Sequence, residues 1–379
     1  MSAYKWLCGV ALVVGGLVIG AEAQQAQQKG GVEITGPYDV QTNWPQRPEG
    51  TEGWVSGPTV AIFAESPDRV FFVQRGELPI PEGVKPGPGA KFGAPGRTAS
   101  ANVNKARRMN YILVANRDGK IVENWTQWDK YWDGSRGPHH IKMNPYDPER
   151  HVWIMDNDGQ QVLKFTNDGK TLVLALGERL KPGNDDKHFG GPANIAFLPD
   201  GTFFVADGYD NRRVVKFDKD GKYLMAWGKE GSAPGEFTGT LHAIAIDAKR
   251  RIYVSDMGNH RIQVFDENGK FLDQFPNIPS PSYIHISSDQ YLWVSDTLVN
   301  KFLKYDLNGK LLYSWGSYGD FPGGLWMTHQ FSVDQEGNLY TAEAFHGRVE
   351  KFRPKPGADK SQLIAPERPM AGRARTATN

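Results

Sequence analysis

Three histidines stand at one repeated position of this chain. Counted back from the acid that closes a recurrent apolar strand, His242 lies fourteen residues before Asp256 and His329 fourteen before Glu343. His139 lies seventeen before Asp156, but the turn Asn144–Arg150 between them is three residues longer, so its register is the same. The equivalent positions of the other units hold Val60, Ala193 and Ser282. A single histidine there is more often a satisfied channel-lining residue. With nine histidines in the whole chain, three at one register make a poor accident. Three neutral imidazoles with a coordination position left open are the donor set of catalytic rather than structural zinc. His140 is expected to point the other way along its strand. His151, His188, His260, His285 and His346 have no such register and read as structural or surface residues.

Two further residues fall at the same end of the strands. Tyr209, in VADGYDNRR, follows the acid of its unit, and Arg75, in FFVQRG, stands where other units place the acid. A tyrosine in a turn is usually packing and an arginine there usually solvated. Beside a dication, however, a phenol's anionic form is favoured, which suits a general base. A guanidinium fork suits a carboxylate.

The elements that must position these side chains are short strands. Five segments repeat one plan: HHIKMNPYDPERHVWIMD, ANIAFLPDGTFFVAD, HAIAIDAKRRIYVSD, YIHISSDQYLWVSD and HQFSVDQEGNLYTAE. Apolar residues alternate with the period of half-buried strands. The terminal acids Asp156, Asp207, Asp256, Asp296 and Glu343 are spaced by 51, 49, 40 and 47 residues, the range of a four-stranded propeller blade. A sixth unit precedes them from Val60, interrupted by an insert at Glu77–Met109 rich in Pro, Gly and basic residues. The reading is an all-β, six-bladed β-propeller spanning residues 54–366. No sustained helical period supports an open βαβ fold, and a pair of β-sandwiches would not repeat one strand order. In a propeller the first strand of each blade lines the channel, so residues on alternate blades converge on the axis.

Lys and Arg (44) nearly balance Asp and Glu (43), so no basic field points to nucleic acid. Residues 1–23 read as an export signal: Lys5, the apolar run Trp6–Ile19, then Ala21-Glu22-Ala23 as a small-x-small cleavage site. The protein is therefore expected to be exported, periplasmic or extracellular, with no membrane association after cleavage. The one cysteine, Cys8, lies inside that run, so no disulfide is expected in the mature chain. Residues 24–53 read as a linker and 367–379 as a flexible tail. Trp125, Trp128, Tyr131 and Trp132 could line the mouth of a pocket, with outer-strand packing as their plainer role.

On these motifs the chain resembles a known family. HFGGPANIAFLPDGTFFVADGYDNRRVVKFDKDGKYLMAWG is similar to NHL-type repeats, and Trp54–Phe352 resembles the peptidyl-α-hydroxyglycine α-amidating lyases. The resemblance places that family's zinc histidines on His139, His242 and His329, its catalytic tyrosine on Tyr209 and its active-site arginine on Arg75. It implies cleavage of an N-acyl- or peptidyl-α-hydroxyglycine to an amide and glyoxylate. Because the imidazoles must be neutral to bind metal, activity is expected to fail below about pH 6. Gln330 stands where the family has an aspartate that helps hold calcium. A neutral amide is the weaker ligand, so calcium stays open beside zinc. Met257 stands where the family has a second arginine. Nothing in the chain resembles the copper monooxygenase that makes the hydroxyglycine. Two other functions fit the frame: a lactonase-like, metal-dependent hydrolase, and a non-catalytic NHL-type envelope binding protein.

Overall fold

In a computed structural model, residues 34–46, 51, 53–80 and 107–372 are described. The export-signal segment, half of the 24–53 stretch and residues 81–106 of the insert lie outside them. Six four-stranded antiparallel sheets follow one another along the chain as the blades of a propeller. The fold expected from the repeats is the fold observed. The first strands are Thr59–Ser66, His140–Met143, Pro192–Phe197, Leu241–Ile246, Pro281–Ile286 and Thr328–Val333. The second strands are Arg69–Gln74, Val152–Asp156, Phe203–Asp207, Ile252–Asp256, Leu292–Asp296 and Leu339–Glu343.

Local chemistry explains why the units repeat. In the turns before the fourth strands, Asp218, Asp266 and Asp306 each accept two backbone N–H bonds at 2.9–3.0 Å, from residues two and four further on. A side chain that satisfies the turn's own donors favours a turn over a continued strand. Between neighbouring sheets the inward residues pack as aromatic pairs, such as Trp153 with Phe203, centroids 5.0 Å apart, and Phe302 with Phe331 at 5.1 Å. Each such ring, fully buried, contributes roughly 1.5–3 kcal/mol of transfer free energy.

The ring is closed by a strand inside the expected linker. Tyr38–Val40 pairs antiparallel with Arg348–Pro354 and completes the sixth sheet. Three residues are too short to show a strand period, and the partner lies some three hundred positions away. The C-terminal end departs from expectation in the same way. Ile364 N–H donates to the Tyr38 hydroxyl at 2.8 Å, and the Ala365 carbonyl meets His285 Nε2 at 2.9 Å. Lys142 Nζ lies 3.0 Å from Glu367 Oε1, and Arg150 donates to the carbonyls of Ala371 and Gly372 at 2.8 and 2.7 Å. The described part of the expected tail, through residue 372, is thus bound across one end of the channel. An ion pair, hydrogen bonds to backbone carbonyls and the apolar side chains of Ile364 and Met370 together hold it there. The insert begins as a ribbon, Glu77–Pro79 against Trp54–Ser56, with Arg107 returning to bond Glu77.

Candidate metal centre

The acids used to count register are the clamps that set it. Their carboxylates accept backbone N–H bonds from the loops leading into the first strands: Gly190 to Asp207 at 2.7 Å, Thr238 to Asp256 at 3.1 Å, Ser280 to Asp296 at 2.9 Å and Trp326 to Glu343 at 2.6 Å. In the second blade the Ser135 hydroxyl donates to Asp156 at 3.0 Å. Each acid therefore fixes the chain two to four residues before the position that carries histidine in alternate blades.

At that position the ladder slips. Pairing between first and second strands shifts between Thr59 and Ala61, Pro192 and Asn194, Leu241 and Ile244, Pro281 and Tyr283, and Thr328 and Gln330. In the second blade His139 donates its N–H to the Met155 carbonyl while His140 is also paired with Met155. A β-bulge re-aims the side chain it carries and breaks strict alternation. Here it turns two consecutive residues toward the channel. His140 is accordingly not directed away, as strand alternation predicted. Its buried ring packs on Tyr283 of the fifth blade, centroids 5.6 Å apart, one layer below the three histidines.

The other three positions are not idle. His139 Nδ1 lies 3.3 Å from the Ala193 carbonyl, His242 Nδ1 2.6 Å from that of Ser282, and His329 Nδ1 2.6 Å from that of Val60. A carbonyl only accepts, so each Nδ1 carries the proton and each Nε2 presents a lone pair. Every non-histidine blade thus supplies the backbone oxygen that sets the tautomer of the blade before it. The Nε2 atoms converge: His329 Nε2 is 3.1 Å from both His139 Nε2 and His242 Nε2.

That arrangement tests whether the residues fit a metal. Three lone pairs aimed at one another with no proton between them repel, and a cation among them removes the repulsion. Nitrogens about 2.0–2.1 Å from a tetrahedral zinc would lie about 3.3 Å apart, close to the spacing here. All three rings are buried, and burial depresses their pKa values: His242 falls to about 4, His139 and His329 well below the ordinary histidine range. For His139 and His329 the neighbouring imidazoles add to the shift. The site thus holds its ligands in the neutral form that metal binding needs.

Tyr209 stands at the same point. Its hydroxyl is 2.8 Å from His139 Nε2 and 3.0 Å from His242 Nε2. The turn that carries it needs glycine for want of room: a Cβ on Gly208 would sit 2.0 Å from the Leu241 carbonyl oxygen, and one on Gly191 would sit 2.4 Å from the Tyr209 Cβ. Burial pushes the Tyr209 phenol up to about 12, against the opposing pull of Arg75 and then Arg136. Arg75 donates Nη2 to Asn157 Oδ1 at 2.7 Å, and its buried Nε has no partner. Burial lowers its pKa first, and Arg136 lowers it further.

All five residues expected at the site meet within one region. Arg75, His139, Tyr209 and His329 line a cavity of about 370 Å³, and His242 joins them from its inner end. Arg108, Arg136, Tyr111, Met327 and Phe345 also line it and were not expected. Part of that set was within reach of the same count: two residues past the terminal acids stand Asp158, Tyr209 and Phe345. Trp125 and Trp132 are buried and Trp128 packs on Phe165 at 4.9 Å, so this cluster takes the packing role. Met257 opens a short 3₁₀ turn. Gln330 donates Nε2 to the Ile141 carbonyl at 2.9 Å, leaving its buried Oε1 without a partner. Its N–H group takes up a channel carbonyl, which is the opposite of what a cation there would ask of it.

Comparisons with known proteins agree with this architecture. The family model described as "DUF5128: 6-bladed beta-propeller" matches residues 183–307. The chain is 34% identical over 183 residues to "Peptidyl-alpha-hydroxyglycine alpha-amidating lyase 1" of Drosophila melanogaster, covering 45% of this chain and 32% of that one. It is 26% identical over 339 residues to "NHL repeat-containing protein 3" of Homo sapiens, covering 84% of each. The chain is a six-bladed β-propeller, similar to NHL-repeat proteins and, over part of its length, to the amidating lyases. Its match to "Peptidyl-glycine alpha-amidating monooxygenase B" of Xenopus laevis, 29% identical over 241 residues, takes in 59% of this chain but only 27% of that much longer protein. Among solved structures, a streptogramin B lyase shares the propeller fold, with a TM-score of 0.55 at 12% identity over 84% of this chain and 98% of that one.

Proposed function

We propose that this propeller is a metal-dependent lyase that cleaves the C–N bond of an N-acyl- or peptidyl-α-hydroxyglycine, releasing an amide and glyoxylate. The single observation that carries the reading is the convergence of three Nε2 lone pairs beside the Tyr209 hydroxyl at 2.8 and 3.0 Å. His139, His242 and His329 would hold a divalent cation, for which three imidazoles suit zinc, and the bound cation would polarise the substrate hydroxyl and lower its pKa.

This chain's own residues supply the rest. Burial alone keeps the Tyr209 phenol protonated; beside a cation held by the three histidines its phenolate is favoured, and in that form Tyr209 accepts the hydroxyl proton. The C–O bond becomes the aldehyde carbonyl of glyoxylate, and the C–N electron pair leaves with the amide nitrogen. The same phenol then returns its proton to that nitrogen, so no proton is gained or lost overall. Arg75 faces the cavity with a free buried Nε and binds the substrate carboxylate. Met327, Ala344 and Phe345 offer an apolar wall to the acyl group. Hydrolases of the lactonase type favour carboxylate-rich calcium sites, and no carboxylate stands among the three facing groups.

The test is glyoxylate release from N-benzoyl-α-hydroxyglycine by purified protein of known metal content. Wild type should release glyoxylate and benzamide in equal amounts. Tyr209→Phe should keep its metal and lose about 10²–10⁴-fold in kcat, the range for removing a general base. Metal-loaded wild type that releases no glyoxylate would overturn the reading.

A further inference from the structure

One turn holds two of the cavity's arginines side by side. Arg75 reaches it from the end of the first blade and donates to Asn157 Oδ1 at 2.7 Å. Arg136 comes from the loop leading to His139 and donates Nε and Nη2 to the Asp158 carboxylate at 2.5 and 2.8 Å. Its backbone N–H reaches the same carboxylate at 3.2 Å, and Asn157 Nδ2 donates to Asp158 Oδ1, also at 3.2 Å. Neighbouring residues of a single turn therefore fix guanidinium groups that arrive from different parts of the chain. Both guanidinium groups line the cavity with Tyr209 and His139.

The charges around this pair do not balance. Among the described residues Asp158 is the one carboxylate hydrogen-bonded to it. Asp156, two residues earlier, is engaged by the Ser135 hydroxyl at 3.0 Å and the Gly159 N–H at 2.8 Å. Arg75 has only the neutral Asn157 amide, and its Nε is buried without an acceptor. Arg136 is more than half exposed and partly screened, but Arg75 is half-buried with its Nε wholly so. An anion placed between the two cations would relieve both the repulsion and the unpaired donor. The depressed pKa of Arg75, with burial as its first cause and Arg136 as its second, reports the same imbalance.

We propose that Arg136 forms with Arg75 a two-arginine clamp for the substrate's carboxylate, with Asn157 and Asp158 as positioning residues. The inference rests on the hydroxyglycine reading of the site and goes beyond it by assigning carboxylate recognition to a residue of the second blade. In this arrangement Asp158 orients Arg136 and offsets part of its charge, while the anion enters opposite the free side of Arg75. A salt bridge with no ligand role would affect all ligands alike. A clamp discriminates by charge.

The experiment is calorimetric binding of N-benzoylglycine, which keeps the carboxylate and lacks the hydroxyl to be cleaved, beside its methyl ester. Wild type should prefer the acid. Arg136→Gln should weaken acid binding about thirtyfold, the size of one lost charge-assisted hydrogen-bonded contact, and leave the ester within about twofold. Arg136→Lys should recover only part of the loss, because a point charge cannot reproduce the fork. Asp158→Asn, which leaves the clamp charged but loosely held, should give an intermediate loss for the acid alone. Equal affinity of wild type for acid and ester, or an equal loss for both in Arg136→Gln, would overturn the clamp. Glyoxylate release from the hydroxylated substrate is read separately. A protein that binds the acid through Arg136 but releases no glyoxylate keeps the clamp and loses the lyase.

Discussion

The two ends of the channel are built from the same six strands and end in opposite states. At one end polar atoms are left facing one another: three imidazole lone pairs, a phenol, and an arginine Nε with no acceptor. At the other the C-terminal segment brings Glu367 against Lys142 and places the Ala365 carbonyl on His285, so these groups have partners. The strands do not differ in kind. What differs is whether another part of the same chain satisfies the groups that the strands present. Unsatisfied polar groups in a cavity mark the end that awaits a ligand, and satisfied ones the end that contributes to stability.

Mutations at the two ends should therefore fail in different ways. The largest effect is expected from His242→Ala. It removes one of three converging donors, so metal content should fall below stoichiometric and glyoxylate release to background, while the unfolding midpoint of the chelated protein changes little. Metal analysis and denaturation of the same samples check both halves of that statement. At the closed end, Lys142→Met leaves Glu367 without its cation. Breaking a largely buried pair of this kind should cost about 2–4 kcal/mol in unfolding free energy, with the kinetics of the folded enzyme nearly unchanged. Replacing both partners, Lys142→Met with Glu367→Leu, should restore most of that loss. If Lys142→Met instead reduced activity at unchanged stability, the contrast between the ends would be broken.

The smallest effect is in pH and sharpens the contrast. Folded His242 has its pKa depressed to about 4, below the value near 6.5 expected for the unfolded chain. As pH falls below about 6.5 the unfolded state takes up a proton that the folded state refuses, so stability declines until about pH 4, where folded His242 protonates too. For His242 alone, the loss in the metal-free protein between pH 7 and pH 5 is about 2 kcal/mol. Urea unfolding at both values, with and without chelator, measures it. The same shift moves the acid limit of activity below the pH 6 suggested by an ordinary histidine.

Much of this protein could be read before its shape was known. Strand alternation and the spacing of the terminal acids are local properties, and they suffice for six blades. The count from Asp156, Asp256 and Glu343 found His139, His242 and His329 because each offset lies within one hairpin. Tyr209 and Arg75 were accessible for the same reason. His140 was misdirected because alternation assumes an unbroken ladder, and a bulge can be recognised only when both strands are paired. The Arg136–Asp158 contact spans two separate turns, and neither turn alone distinguishes a surface arginine from one aimed into a cavity.

The sequence by itself determined the repeat, the fold and the residue types that converge on the axis, since these follow from hydrophobic period and from spacing within single units. Tertiary structure alone decided the tautomers, through the carbonyls of Val60, Ala193 and Ser282, and the closure of the ring by Tyr38–Val40. It also decided which end of the channel is sealed by residues 364–372. Those outcomes depend on contacts between residues far apart in the chain, whose pairing is set by where the blades finally lie.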